Sequence, residues 1–159
     1  MRIIAGALKH RQLASPTWAG LRPTSDRLRE TIFNVIGPRL PGARVLDLFA
    51  GTGALGIEAL SRGAAEVVFV EHDRRAQDLI ADNLARCGVT TGYAIIRAAV
   101  GPGVMALRRR PAFAPFDVVL LDPPYDAVAA DLTGGGPAER GRGRIGQRPR
   151  DQSSPRGGR

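Results

Sequence analysis

The 159-residue chain has 43% hydrophobic and 24% charged residues, an ordinary globular composition at a length that buries a real core in one domain. One cysteine (Cys87) excludes a disulfide scaffold, and two histidines (His10, His72) at no ligand spacing argue against metal catalysis. The net charge of +8 is uneven, because residues 134–159 hold seven arginines against Glu139 and Asp151. Such a stretch attracts phosphate without sequence preference or is simply solvated, so charge alone does not identify a nucleic-acid partner.

Residues 1–23 read as a short hairpin or extended arm, with an apolar Ile3-Ile4, a Gly6 turn and a break at Pro16. Thr24 or Ser25 is a candidate helix N-cap, with Asp26 in the first turn. Leu28, Ile32, Val35 and Ile36 then follow at the spacing of one apolar helix face, ended by Gly37-Pro38. Residues 1–43 thus form an N-terminal arm and helix.

From residue 44 the text alternates strand and helix. Val45-Leu46-Asp47-Leu48-Phe49 is an apolar strand that ends in Gly51-Thr52-Gly53, followed by a helix through Leu55, Ile57, Ala59 and Leu60. Val67-Val68-Phe69-Val70-Glu71 is a second strand, and Asp73 can cap a helix whose apolar face is Ala76, Leu79, Ile80, Leu84 and Cys87. Tyr93 to Arg97 makes a third strand, Val104, Met105 and Leu107 a short helix, and Phe116 to Leu121 a fourth strand. Strands apolar on both faces and separated by helices predict an α/β fold with a parallel sheet covered on both sides. Residues 44–130 make up this domain. Residues 131–159, rich in glycine, proline and arginine, bury too little apolar surface to offset their ordering entropy and are predicted to be disordered.

Open α/β sheets bind ligands at the C-terminal ends of their strands, and three motifs fall there. Gly51 and Gly53 let the backbone turn sharply and a ligand approach closely. Asp47, four residues earlier, would repel a phosphate but suits a cationic amino-acid moiety such as the methionine end of S-adenosylmethionine. A tight structural turn with Asp47 capping the loop is the plainer alternative. Glu71 ends the second strand, where a carboxylate can accept two hydrogen bonds from a ribose. The third motif is Asp122-Pro123-Pro124-Tyr125. Its prolines stiffen the chain and remove two donors, so the Asp122 carboxylate and the Pro123 carbonyl can both accept from an amine. Such acceptors stabilise the charge that develops on nitrogen during transfer. Tyr125 offers a face for stacking a base.

On these residues the chain resembles the RsmD-type 16S rRNA guanine-N2 methyltransferases. The resemblance starts at Met1-Arg2-Ile3-Ile4-Ala5-Gly6 and runs through Leu21-Arg22-Pro23-Thr24-Ser25-Asp26-Arg27-Leu28-Arg29-Glu30-Thr31-Ile32-Phe33-Asn34. It continues through Asp47 to Gly63 and Glu71, and ends at Asp122-Pro123-Pro124-Tyr125. It implies a Rossmann-like methyltransferase sheet, S-adenosylmethionine as methyl donor, and a guanine in small-subunit rRNA, free or in an assembling subunit, as acceptor. Carried over, Asp47, Gly51 and Gly53 hold the methionine end, Glu71 the ribose, and Asp122, Pro123 and Tyr125 the base. Arg22, Arg27 and Arg29 are then placed to meet RNA phosphate. Two departures stand out. After the third strand the chain has Ala98-Ala99-Val100, so adenine contact at Ala99 would be through backbone and apolar surface. The strands that follow the Asp-Pro-Pro-Tyr motif in the family have no counterpart, which predicts a chain truncated or frameshifted there, with an incomplete sheet and doubtful activity.

Three other readings use the same residues: an adenine-N6 DNA methyltransferase, a methyltransferase of protein glutamine, and an inactive remnant that binds RNA through its arginines. The Arg22-to-Glu30 block argues against the first, and Asp122, where asparagine is common, against the second. The expectation is a cytoplasmic, monomeric enzyme with no membrane segment and no metal.

Overall fold

The structure, a computed structural model, describes residues 1–124. Tyr125, the end of the predicted domain and the tail over 131–159 lie outside the described residues. Helix α1 (Asp26–Ile36) is followed by a 3-10 turn (Gly37–Arg39), β1 (Arg44–Leu48), α2 (Ala54–Ser61), β2 (Glu66–Glu71), α3 (Arg74–Arg86), β3 (Tyr93–Arg97), α4 (Val100–Arg108) and β4 (Val118–Leu121). The four strands are all parallel, in the order β3-β2-β1-β4. This is the parallel α/β sheet that the alternating pattern predicts, in the Rossmann-like form that the resemblance implies, with its C-terminal strands missing from the described part.

The period-2 alternation of the strands sorts their side chains into two cores. Val45, Val67, Phe69, Val118 and Leu120 face α2, α3 and the arm, together with Ile57, Ile80 and Leu84. Leu46, Leu48, Val68 and Val70 face the other way, onto Val100 and Leu107 of α4. Gly56 lets α2 lie close on the sheet, because a Cβ there would stand 2.3 Å from the Phe69 ring. The expectation of strands covered on both faces fails at β4. Val119 pairs in register with Leu46 and Leu121 with Leu48, yet they are 54% and 51% exposed. Helix α4 covers β2 on that side, and among the described residues no element covers the β4 end.

The first 14 residues form the predicted hairpin-like arm, with one antiparallel bridge between Arg2 and Gln12. Buried polar side chains of the domain stitch it down. Glu58 accepts from the backbone N–H groups of Ile4 (2.9 Å) and Ala5 (3.0 Å). Ser61 accepts from Leu8 N–H at 2.9 Å and donates to the Ala5 carbonyl. Asn83 accepts from Ala14 N–H (2.7 Å) and donates to the carbonyls of Ala14 (3.2 Å) and Thr52 (3.0 Å). The arm is therefore tied to α2, to α3 and to the glycine loop at once.

Helix α1 departs from its predicted face. Ser25 is its N-cap and accepts from Leu28 N–H at 3.2 Å, with Asp26 in the first turn, as the sequence suggests. Its buried residues, however, are Arg29 and Phe33, whereas Leu28 and Val35 are exposed and Ile32 and Ile36 only half-buried. The cause is a buried charge network. Arg29 donates to the Arg2 carbonyl (2.7 Å) and to Asp26 (2.6 Å) and lies 3.8 Å from Glu58, which also accepts from Arg62 at 2.8 Å. A neutralised arginine occupies the inward position that an apolar residue was expected to fill.

Candidate cofactor and substrate site

At the C-terminal ends of β1, β2 and β4 lies a cavity of about 700 Å³. That volume is within the range of sites for cofactor-sized molecules. Its walls are residues 18–24 of the segment after the arm, 49–52 with Ala54 and Leu55, 71–73 with Arg75 and Ala76, and 122–124. The three motifs of the sequence thus converge on one space, together with the Arg22 block.

The loop after β1 turns by two left-handed steps in quick succession, Phe49 at φ 58° and Gly51 at φ 57°. A non-glycine residue in that region is strained, and such strain concentrates at functional sites. Gly53, at φ 77°, caps α2. The Glu71 carboxylate organises the loop: Oε2 accepts from Gly51 N–H at 2.9 Å, and Oε1 accepts from His72 and Asp73 N–H, both at 2.8 Å. Glu71 is buried yet lines the cavity, so it holds two walls together and still presents acceptor capacity inward. Asp73 caps α3, as predicted, and pairs with Arg75.

Asp47 lies beneath this loop and outside the lining. Its Oδ2 accepts from Gly56 N–H at 3.0 Å, near the N-terminus of α2, and its Oδ1 is buried without a partner. Burial, opposed by the Gly56 N–H and reinforced by Asp122 and Glu71, pushes its pKa up to about 8. The native state therefore keeps a proton that the unfolded chain releases above pH 3.8. Stability contributed by this group falls as pH rises from about 4 to about 8. Melting curves between pH 5 and 8 should show the ligand-free protein losing stability faster than Asp47→Asn, which has no such proton. Parallel curves for the two proteins would show that Asp47 is ionised in the native state.

The third motif is coupled to the Arg22 block. Thr24 donates its hydroxyl to Asp122 Oδ2 at 2.5 Å, across 98 residues of sequence. Thr24 was a candidate N-cap; Ser25 takes that role and leaves the Thr24 hydroxyl free to orient the carboxylate. Pro123 lines the cavity beside it, whereas Tyr125 lies outside the described residues.

Other predicted site residues are placed differently. Gly53 and Ala99 do not line the cavity: Gly53 packs against Ile80, and Ala99 precedes α4 beyond the end of β3. Of the three arginines expected at RNA, Arg22 lines the cavity mouth and Arg27 is exposed on α1. Arg29 is fully buried in the network with Glu58, so it meets no phosphate. Cys87 is buried at the C-cap of α3, and desolvation pushes its thiol pKa up. No group of metal-binding side chains occurs among the described residues, and no helix there is long and apolar enough to cross a membrane.

The chain is 42% identical over 125 residues to the putative rRNA methyltransferase YlbH of Bacillus subtilis, covering 79% of this chain and 67% of that one. It is equally identical, over 79% of its own length and 60% of the relative's, to ribosomal RNA small subunit methyltransferase D of Escherichia coli K12. The family model described as Conserved hypothetical protein 95 matches residues 1–133. The chain belongs to this RsmD-type family. Among solved structures it resembles the putative methyltransferase yhhF from Escherichia coli, with a TM-score of 0.67 and 35% identity over 81% of this chain and 66% of that one. A hypothetical protein from Thermus thermophilus, TTHA0928, gives a TM-score of 0.68 at 36% identity, over 84% and 75% of the two chains. The RsmD-type chain described here thus spans 60–67% of the length of these two curated relatives.

Proposed function

We propose that this RsmD-type chain transfers a methyl group from S-adenosylmethionine to the exocyclic N2 of a guanine in small-subunit rRNA, as a monomer in the cytoplasm. One observation carries the reading: a single cavity joins Gly51 and Glu71, suited to the cofactor, with Asp122 and Pro123, suited to an amine. The residues fit the cofactor's chemistry. Glu71 lines the cavity, and the buried Asp47 Oδ1 beneath it lacks any counter-charge, so a cation in the cavity stabilises the ionised form of Asp47.

Bound there, S-adenosylmethionine supplies a methyl group on a cationic sulfur, already activated for transfer. The protein needs no covalent intermediate, and catalysis rests on position and charge. Asp122, steadied by Thr24, and the Pro123 carbonyl accept from the amine and orient its lone pair. Arg22, in the cavity wall, and Arg27, exposed on α1, attract the RNA backbone.

Glu71→Ala should weaken S-adenosylhomocysteine binding by about 1.5–3 kcal/mol, the scale of a hydrogen-bond set to a charged group. Unchanged affinity by calorimetry would remove Glu71 from the site. The function itself is tested with labelled S-adenosylmethionine, purified small-subunit rRNA and assembled small subunits, with the modified base identified by mass spectrometry. Label in guanine N2 is expected. Label in another base would overturn the guanine assignment, and no label on any RNA with cofactor bound would overturn the reading.

A further inference from the structure

The segment between Ala14 and Thr24 crosses the cavity mouth between two fixed points. Asn83 grips both backbone groups of Ala14 at one end, and Thr24 is bonded to Asp122 at the other. Between them Trp18, the chain's single tryptophan, is half-buried and lines the cavity. The Arg75 guanidinium stands over its ring, 5.0 Å from the centroid. Arg75 is itself held by Asp73, through Nη2 to Oδ2 at 2.9 Å and Nε to Oδ1 at 3.3 Å. A cation on one face fixes the plane of the indole and leaves the other face for a ligand.

This placement meets a need that β3 leaves open. A ribose held at Glu71 puts the attached base one sugar ring away, alongside residues 72–75. Ala98 and Ala99, at the end of β3, do not line the cavity. Trp18 does line it, with its ring beside Arg75. We propose that Trp18 is a wall of the adenine subsite, stacking the purine on the indole face opposite Arg75. The inference rests on the reading of the cavity as an S-adenosylmethionine site.

Because Trp18 is the only tryptophan, its fluorescence reports this subsite alone. Titration of the full chain with S-adenosylhomocysteine should change the emission along the same isotherm that calorimetry gives. Trp18→Ala should raise Kd about 5- to 150-fold, the range for loss of one base–aromatic stack, and Trp18→Phe should recover most of that loss. Both variants should melt like the parent, since Trp18 belongs to neither core. If calorimetry shows tight binding while emission is unmoved and Trp18→Ala binds equally well, the adenine role is wrong and the cofactor site stands. An emission change with an RNA oligonucleotide but not with S-adenosylhomocysteine would also overturn it and assign Trp18 to the substrate. Absence of calorimetric binding to the parent protein would sink the cofactor reading and this inference together.

Discussion

Glu58→Ala is expected to destabilise the folded chain by about 3–5 kcal/mol, the usual cost of removing one partner from a buried ion pair. The carboxylate is fully buried between arm, α1 and α2 and accepts from Ile4, Ala5 and Arg62. Its removal strands two backbone donors and leaves Arg29, already without a hydrogen bond at Nε and Nη1, facing no negative charge but Asp26. Against a total of roughly 5–15 kcal/mol for a domain, such a loss is decisive. Glu58→Gln keeps acceptor capacity and should lose less, which separates charge from geometry. Urea melts measure both. A loss below about 1 kcal/mol in Glu58→Ala would show that the arm is held by its apolar contacts, Ile3 and Leu13, instead.

That network also explains where the sequence was legible. Strands β1 to β4 and helices α2 to α4 follow from apolar runs and caps that act locally, and they lie within a few residues of where periodicity puts them. The ends of β1 and β2 carried their own signal, a glycine loop and a terminal acid, and Glu71 and Gly51 do meet in the cavity. Helix α1 was misread because periodicity scores hydrophobicity alone. The partner that makes Arg29 tolerable inside, Glu58, is 29 residues away and looks like an ordinary polar residue of α2.

The same limit applies in the site. Asp47 was read as a direct ligand from its distance to the glycines, but distance along a chain does not say whether a side chain points above or below a loop. Ala99 was assigned by its position after β3, and the cavity ends short of it. Trp18, and Thr24 as anything but a cap, escaped because neither lies in a periodic segment. Both line the cavity on the segment that follows the arm, which Ser61, Glu58 and Asn83 tie down. Buried polar residues inside otherwise apolar helices were the available signal, since burial of such groups requires a partner.

Asp122→Ala should lower methyl transfer at least 100-fold while leaving S-adenosylhomocysteine affinity within about twofold, the pattern of one acceptor lost chiefly in the transition state. The carboxylate lies at the end of β4 and lines the same cavity as Gly51 and Glu71, the residues that the proposed reading gives to the cofactor. Thr24 fixes one of its oxygens, which on that reading leaves the other for the amine. Thr24→Val should then show a smaller fall in turnover with cofactor binding unchanged, and Thr24→Ser, which restores the hydroxyl, should recover it. Single-turnover transfer to small-subunit rRNA, alongside calorimetry, measures both quantities. Should Asp122→Ala lose cofactor affinity and turnover in equal proportion, Asp122 would belong to the cofactor site through its field on Asp47, and the amine would have to be held by other groups.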